Sequence, residues 1–248
     1  MQTQLATHNL SKVFYLDRQP LLVFSDITIA VKKGEFVSIL GPSGCGKSTL
    51  LNIIAGIERK TAGKVSISGS EKPGYMLQKP LLLPWKTTLQ NTMLGLLLKH
   101  VPEKKAKQDA QNMLKKFHLE QFANHYPQSL SGGMAQRVAL LRTILFNNDF
   151  LLMDEPFGAL DALTRIAMQM WLLDVWQTYK TTVLLVTHDI REAILLSDRI
   201  YVFSNKPTRL VKEVVIDLPR PRRRNMLQQK KALHIEKILE ELLLAMEV

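Results

Sequence analysis

The stretch FVSILGPSGCGKSTLLNIIAG, Phe36–Gly56, decides the fold. Phe36–Leu40 is a short apolar run entered from Gly34 and left at Gly41, which predicts a strand. The next eight residues, Gly41, Pro42, Ser43, Gly44, Cys45, Gly46, Lys47 and Ser48, fit G-x-x-x-x-G-K-[ST], with Thr49 following. Ser48–Gly56 then reads as a helix, so the motif has the strand before it and the helix after it that a phosphate-binding loop needs. Glycines let the backbone wrap a phosphate chain with successive N–H groups pointing inward. The helix N-terminus adds partial positive charge at the same place. Lys47 is expected to meet the β- and γ-phosphates of a nucleotide, and the Ser48 hydroxyl to ligate Mg²⁺. Cys45 fills a free position of the motif. It reads as a small space-filler, or as a thiol made reactive by the helix end and the neighbouring lysine.

Working outward, two more apolar runs end in polar clusters: Phe150–Met153 in Asp154-Glu155, and Val183–Val186 in Thr187-His188-Asp189. Runs without alternation, separated by helical segments (Leu160–Tyr179, Ile190–Leu196), predict a parallel sheet covered on both faces. Ligands of such sheets sit beyond the carboxyl ends of the strands, so the three clusters are expected to gather at one edge. Asp154 then holds the Mg²⁺ shell, Glu155 accepts a proton from or orients an attacking water, and His188 contacts the γ-phosphate. A second glycine-led helix, Ser131–Phe146, opens with Ser131, Gly132, Gly133 and Met134. Ser131 can cap it, and its free N–H groups form a second anion-binding end.

Elsewhere the first 70 or so residues read as strands, among them Thr28–Val31 and Val65–Ser68. Thr87 to about Tyr126 has helical texture broken at Pro102, and an amphipathic helix closes the chain after Pro219 and Pro221. At 248 residues, 46% hydrophobic and 22% charged, the chain has material for one large domain and is neither disordered nor fibrous. One cysteine excludes an internal disulfide and fits a reducing compartment. No apolar run approaches the ~18 residues of a spanning helix, and the N-terminus lacks the layout of a signal peptide. Thirty-three Lys and Arg against 22 Asp and Glu give a net charge of +11. Part of the excess sits in Arg220, Arg222, Arg223 and Arg224, read as a solvated basic surface with anionic lipid headgroups as a candidate contact.

Leu130–Gly133 with Met134 resembles the signature motif of ATP-binding cassette (ABC) ATPases. Five further motifs match in order: the P-loop, Gln78 of a Q-loop, the Walker B run Leu151–Glu155, the D-loop Gly158-Ala159-Leu160-Asp161, and His188 of the H-loop. The resemblance covers residues 4–218. It implies an α/β P-loop core with a parallel sheet, an N-terminal antiparallel β subdomain and an inserted helical subdomain at about 87–146, with 219–248 as a basic linker and amphipathic helix. It also implies ATP and Mg²⁺, the latter held by Ser48, Gln78 and Asp154, and catalysis by Glu155, His188 and Gln78. Phe14 or Tyr15 stacks on adenine. In the family two copies pack head to tail, so Ser131, Gly132, Gly133 and Met134 complete the partner's site, and Asp161 belongs to the D-loop. Met134 stands where many relatives carry Gln, yet it leaves the helix-end amides intact.

The stretch Gln78–Trp85 (QKPLLLPW) is most similar to nitrate, sulfonate and taurine importer ATPases. The expected function is thus the energy-coupling subunit of an importer for a small anionic solute, with a pyrimidine thiamine precursor as the alternative. The implied partners are a second copy, permease subunits docked near Leu81–Leu98, and a periplasmic or lipid-anchored substrate-binding protein, which places the chain on the cytoplasmic face of the membrane. Trp85 either borders that docking groove or is a partly buried lobe residue. The positive charge raises a nucleic-acid- or ribosome-acting ABC ATPase as a rival. One P-loop in 248 residues fits neither the paired cassettes nor the coiled-coil inserts of those relatives, so no specific nucleic acid is expected. An exporter ATPase with a separate permease is a third reading.

Overall fold

The computed structural model describes residues 2–69, 72–147, 149–158 and 160–246, so Ala159 of the D-loop lies outside the described residues. The chain divides into two compact units: residues 1–71 with 173–248, and residues 72–172.

The first unit holds two sheets. One is antiparallel and built on β1 (Thr3–Leu16), a 14-residue strand interrupted by bulges. Its first half pairs with β3 (Ala30–Lys32) and β5 (Ala62–Ile67), and its second half with β2 (Gln19–Ile27). The single strand expected at Thr28–Val31 is therefore corrected. Thr28 and Ile29 form the corner between β2 and β3, where Thr28 and Thr7 take side-chain bonds that a continuous ladder would have supplied.

The other sheet contains β4 (Phe36–Leu40), with β8 (Thr182–Thr187) and β9 (Arg199–Phe203) parallel to it on either side, and β10 (Leu210–Val215) antiparallel at the edge of β9. Every residue of β4 and β8 is buried, as expected of strands covered on both faces. Ser38 in the middle of β4 satisfies its hydroxyl on that of Ser197, also fully buried. Helix α1 (Lys47–Ile54) follows β4, and α6 (Ile190–Leu196) follows β8.

The C-terminal helix α7 (Lys230–Leu244) buries Ala232, Ile235 and Leu239 in a cluster with Ile194, Ile216 and Leu218, and its Glu236 meets Arg191 of α6 at 2.6 Å. Between β10 and α7 the expected basic surface is overturned for two of its four arginines. Arg222 is 3% exposed, and its guanidinium donates to the carbonyls of Ile194 and Ile216, each at 3.0 Å, and of Ser197. Arg220 bonds Asp198 and the Leu196 carbonyl at 2.8 and 2.7 Å and lies over the Trp176 ring, 4.0 Å from its centroid. Burial lowers the Arg222 pKa to about 10, so the group remains a cation at neutral pH. Arg223 and Arg224 stay exposed.

The second unit places β6 (Gly74–Met76) parallel to β7 (Phe150–Asp154) and adds the helices α2 (Thr88–Leu98), α3 (Glu103–Lys116) and α4 (Gly132–Phe146). Thr87 and Gln90 close a reciprocal capping box on α2. Pro102 starts α3 where the sequence predicted the break, and Ala106, Ala110, Met113 and Leu114 form its buried stripe. Helix α5 (Ala162–Tyr179) begins in this unit and ends in the first. Its Trp171 meets Phe117 edge-on at 5.0 Å.

Candidate functional site

In the first unit the loop Gly41–Gly46 leaves β4 and enters α1. Gly44 and Gly46 both have positive φ, at 75° and 112°, and Gly46 is the N-cap of α1. A Cβ on Gly41 would lie 2.9 Å from the Phe203 carbonyl oxygen, so close packing against β9 requires glycine there too. Lys47 is 5% exposed, and its Nζ spans the loop, donating to the Gly41 and Pro42 carbonyls at 2.8 and 2.7 Å. Ser48 is exposed at the first turn of α1. Sequence reasoning missed a support: Thr208 donates its hydroxyl to the Cys45 carbonyl, and its backbone bonds Val23 and Ser25 of β2. A lone Thr in a turn 163 residues away carries no local signal for this. Cys45 is buried, and burial pushes its thiol above the usual range despite Lys47 beside it, which removes the reactive-thiol reading.

The parallel register pairs Leu40 with Thr187, so the phosphate loop and His188 leave the same sheet edge side by side. His188 is exposed there, and Asp189 caps α6 by accepting from the Glu192 N–H at 3.0 Å. On β1, Phe14 is half-buried and Tyr15 is 72% exposed.

In the second unit the register pairs Met76 with Met153, which brings Gln78 and the Asp154-Glu155 pair to one edge. Asp154 is 7% exposed at the end of β7. Glu155 follows in the left-handed region at φ 43°, a conformation rare for a non-glycine residue and a mark of a backbone shaped for its side chain. Its Oε2 lies 3.5 Å from the Gln78 amide nitrogen. Ser131 caps α4, its Oγ accepting from the Met134 N–H at 3.3 Å, and Gly133 is close-packed: a Cβ there would overlap Thr164 Cγ2 at 2.4 Å. Ser131 and Gly132 are exposed. Asp161 accepts from the Thr164 N–H at 3.0 Å, and the Thr164 hydroxyl together with that amide holds its carboxyl below the usual range.

Three residues that sequence reasoning passed over shape these loops. Gln136, one turn into α4 and 3% exposed, donates to the carbonyls of Gln78 and Pro156 and so ties the two loops to the signature helix. Arg142 donates to the Pro80 and Leu81 carbonyls, both at 2.8 Å. Asn91, fully buried, binds the Leu83 backbone on both sides along with the Lys86 and Thr87 carbonyls. The only available signal was a polar residue at a core position of a helical pattern.

A glycine-turned loop between a buried parallel strand and a helix, with a buried lysine across it, defines the class: a P-loop NTPase. Residues 24–158 match the ABC transporter family profile. An uncharacterized ABC transporter ATP-binding protein of Methanocaldococcus jannaschii is 43% identical over 247 residues, covering 96% of this chain and 92% of that protein. An aliphatic sulfonates import ATP-binding protein of Shouchella clausii is 47% identical over 203 residues, covering 82% and 79%. Among solved structures, a dimeric bacterial ABC transporter cassette superposes with a TM-score of 0.77 at 32% identity, over 87% of this chain and all of that one, and the same fold is known in a post-hydrolysis state with ADP and phosphate. The chain belongs to the ABC transporter family. It has the ABC ATPase cassette fold, and it is an ATPase that binds ATP.

Proposed function

We propose that the chain is the ATP-hydrolysing, energy-coupling subunit of an importer for a small anionic solute of the sulfonate, taurine or nitrate type. The likeness to aliphatic sulfonate import ATP-binding proteins carries this reading. In it, the P-loop residues Gly41–Thr49 bind the phosphates, Phe14 or Tyr15 receives adenine, Glu155 polarises the attacking water, and Gln78 and His188 position it against the γ-phosphate. Hydrolysis is in-line attack, accelerated by placement and electrostatics. Ser48, Gln78 and Asp154 are hard oxygen donors of the kind Mg²⁺ takes beside phosphate oxygens, and when bound it neutralises phosphate charge.

A second copy supplies Ser131, Gly132, Gly133 and Met134 to the site. The exposed start of α4 supports this: Ser131 takes the Met134 amide, which leaves the Gly132 and Gly133 amides of the first turn for an anion. No helix among the described residues is long and apolar enough to cross a membrane. The reading assigns passage of the solute to permease subunits and its capture to a substrate-binding protein, with this chain peripheral on the cytoplasmic face. A groove of about 170 Å³ in the second unit, lined by Tyr75, Leu94, Gly95, Leu98, Arg142 and Phe146, offers the permease an apolar seat. Leu81 and Leu98 are 56% and 67% exposed. Trp85 is 70% exposed and lies outside the lining of this groove.

The deciding experiment reconstitutes the chain with its permease and binding protein in vesicles. Taurine, an alkanesulfonate, nitrate and a pyrimidine are supplied in turn. A sulfonate-type solute is expected to stimulate ATP hydrolysis and to accumulate. Glu155→Gln is expected to bind ATP with near-zero turnover, and wild-type turnover in that variant would refute the assignment of Glu155. Stimulation by RNA or DNA that falls steeply with salt, in place of any solute response, would establish the rival instead.

A further inference from the structure

A cation on the N-terminal strand has no part in the phosphate cradle. Lys12 is 7% exposed, and a lysine so buried needs a partner. Its Nζ donates to Glu58 Oε1 and to the Arg59 carbonyl, each at 2.8 Å, and stands 4.2 Å from the centroid of the Phe14 ring. The same ammonium holds the Glu58 carboxyl below the usual range. Lys12 and Phe14 are two residues apart on β1 and share a face, while Tyr15 belongs to the opposite one. Glu58 and Arg59 lie just beyond α1, the helix whose first residue is Lys47 of the cradle. The face of β1 bearing Phe14 is thus the one fastened to the cradle's own helix.

We infer that Lys12 is a positioning residue for base recognition: anchored to Glu58 and Arg59, its ammonium fixes the Phe14 ring as the platform for adenine, and Tyr15 takes no part. The inference rests on reading the P-loop as the ATP site and selects the base platform that goes with it. An ammonium at 4.2 Å from a phenyl centroid attracts the ring's negative face and stops it from turning. One face of the ring is then occupied by the cation, and the other is the surface on which a purine stacks. The same tether fixes the spacing between base platform and phosphate loop, because its far end belongs to the turn that follows α1.

Dissociation constants for MgATP and for inorganic tripolyphosphate, measured by calorimetry on the full chain, separate base from phosphate recognition. Phe14→Ala and Lys12→Met are each expected to weaken ATP about three- to tenfold while leaving tripolyphosphate unchanged. Lys12→Arg restores most of the loss, and Tyr15→Ala is neutral. Because Lys12 acts through the ring, the double variant Lys12→Met/Phe14→Ala is no weaker than Phe14→Ala alone. An unaltered ratio of ATP to tripolyphosphate affinity in Lys12→Met, or losses that multiply in the double variant, would overturn the inference. If circular dichroism shows Lys12→Met unfolded, Glu58→Gln takes its place. It is expected to lose about twofold in ATP alone, and an unchanged ratio there is equally fatal. Wild-type chain that binds neither ligand would instead refute the P-loop reading itself.

Discussion

Gly46 is where the phosphate cradle turns into its helix, and replacing it separates two physical terms. Gly44 and Gly46 both have positive φ, but their surroundings differ. A Cβ on Gly44 meets nothing within 4 Å, whereas a Cβ on Gly46 would lie 2.5 Å from Val23 Cγ1. Gly44→Ala therefore carries the backbone term alone. An L-residue at φ 75° costs about 1–2 kcal/mol, partly offset by a less disordered unfolded chain, for a net of about 1 kcal/mol. Gly46→Ala sits at φ 112°, beyond the left-handed well, where the backbone term rises to about 2 kcal/mol, and it adds overpacking worth about 1–3 kcal/mol. Val23 is 2% exposed and β-branched, so it cannot swing aside. The total is about 3–5 kcal/mol.

A loop carrying that strain relaxes, and ATP binding must then restore the cradle. At 1.36 kcal/mol per decade, Gly46→Ala should weaken ATP roughly a hundredfold or more, against about fivefold for Gly44→Ala. Calorimetric titration with MgATP reads both. Val23→Ala/Gly46→Ala removes the colliding methyl and should recover the steric part only, with Val23→Ala alone as the control for the cavity it leaves. If Gly46→Ala binds ATP within twofold of Gly44→Ala, or the double variant is no better than the single, the Val23 contact does not shape the cradle.

Two further outcomes follow from burial. Arg222→Met removes the guanidinium that donates to four carbonyls and should lower stability by about 3 kcal/mol, while the exposed neighbour Arg224→Met should stay within about 0.5 kcal/mol. Urea midpoints followed by circular dichroism compare the two, and equal midpoints would show that Arg222 does not hold the C-terminal segment. Cys45, buried with its thiol pKa raised, should resist alkylation at neutral pH in the folded chain and gain reactivity only above the ordinary thiol range. Labelling at the rate of a free thiol at pH 7 would contradict that burial.

What could be read from the sequence and what could not divide along a physical line. The P-loop, the Asp154-Glu155 pair and the Ser131 cap were legible because each is a backbone device written in consecutive residues: glycines where φ is positive, a capping hydroxyl before a helix, carboxylates at the end of an apolar run; Gln78 came only with the family resemblance. Local sequence dictates local geometry, and parallel register then carries Gly41 next to His188, and Gln78 next to Glu155, without further information. Side chains that work at long range left no such trace. Arg220 and Arg222 looked like surface charge because composition counts a guanidinium as solvated. Yet its planar fork can satisfy several carbonyls at once, and the ends of α6, β10 and the segment after it present Ile194, Ser197, Ile216 and Leu218 to one such fork. Lys12 is the same case on β1: its partners Glu58 and Arg59 lie more than forty residues on, and only the folded antiparallel sheet sets them beside it. Three of the cations that the net charge counts, Lys12, Arg220 and Arg222, are therefore held by carbonyls, by carboxylates and by the faces of Phe14 and Trp176 rather than offered to an anionic partner.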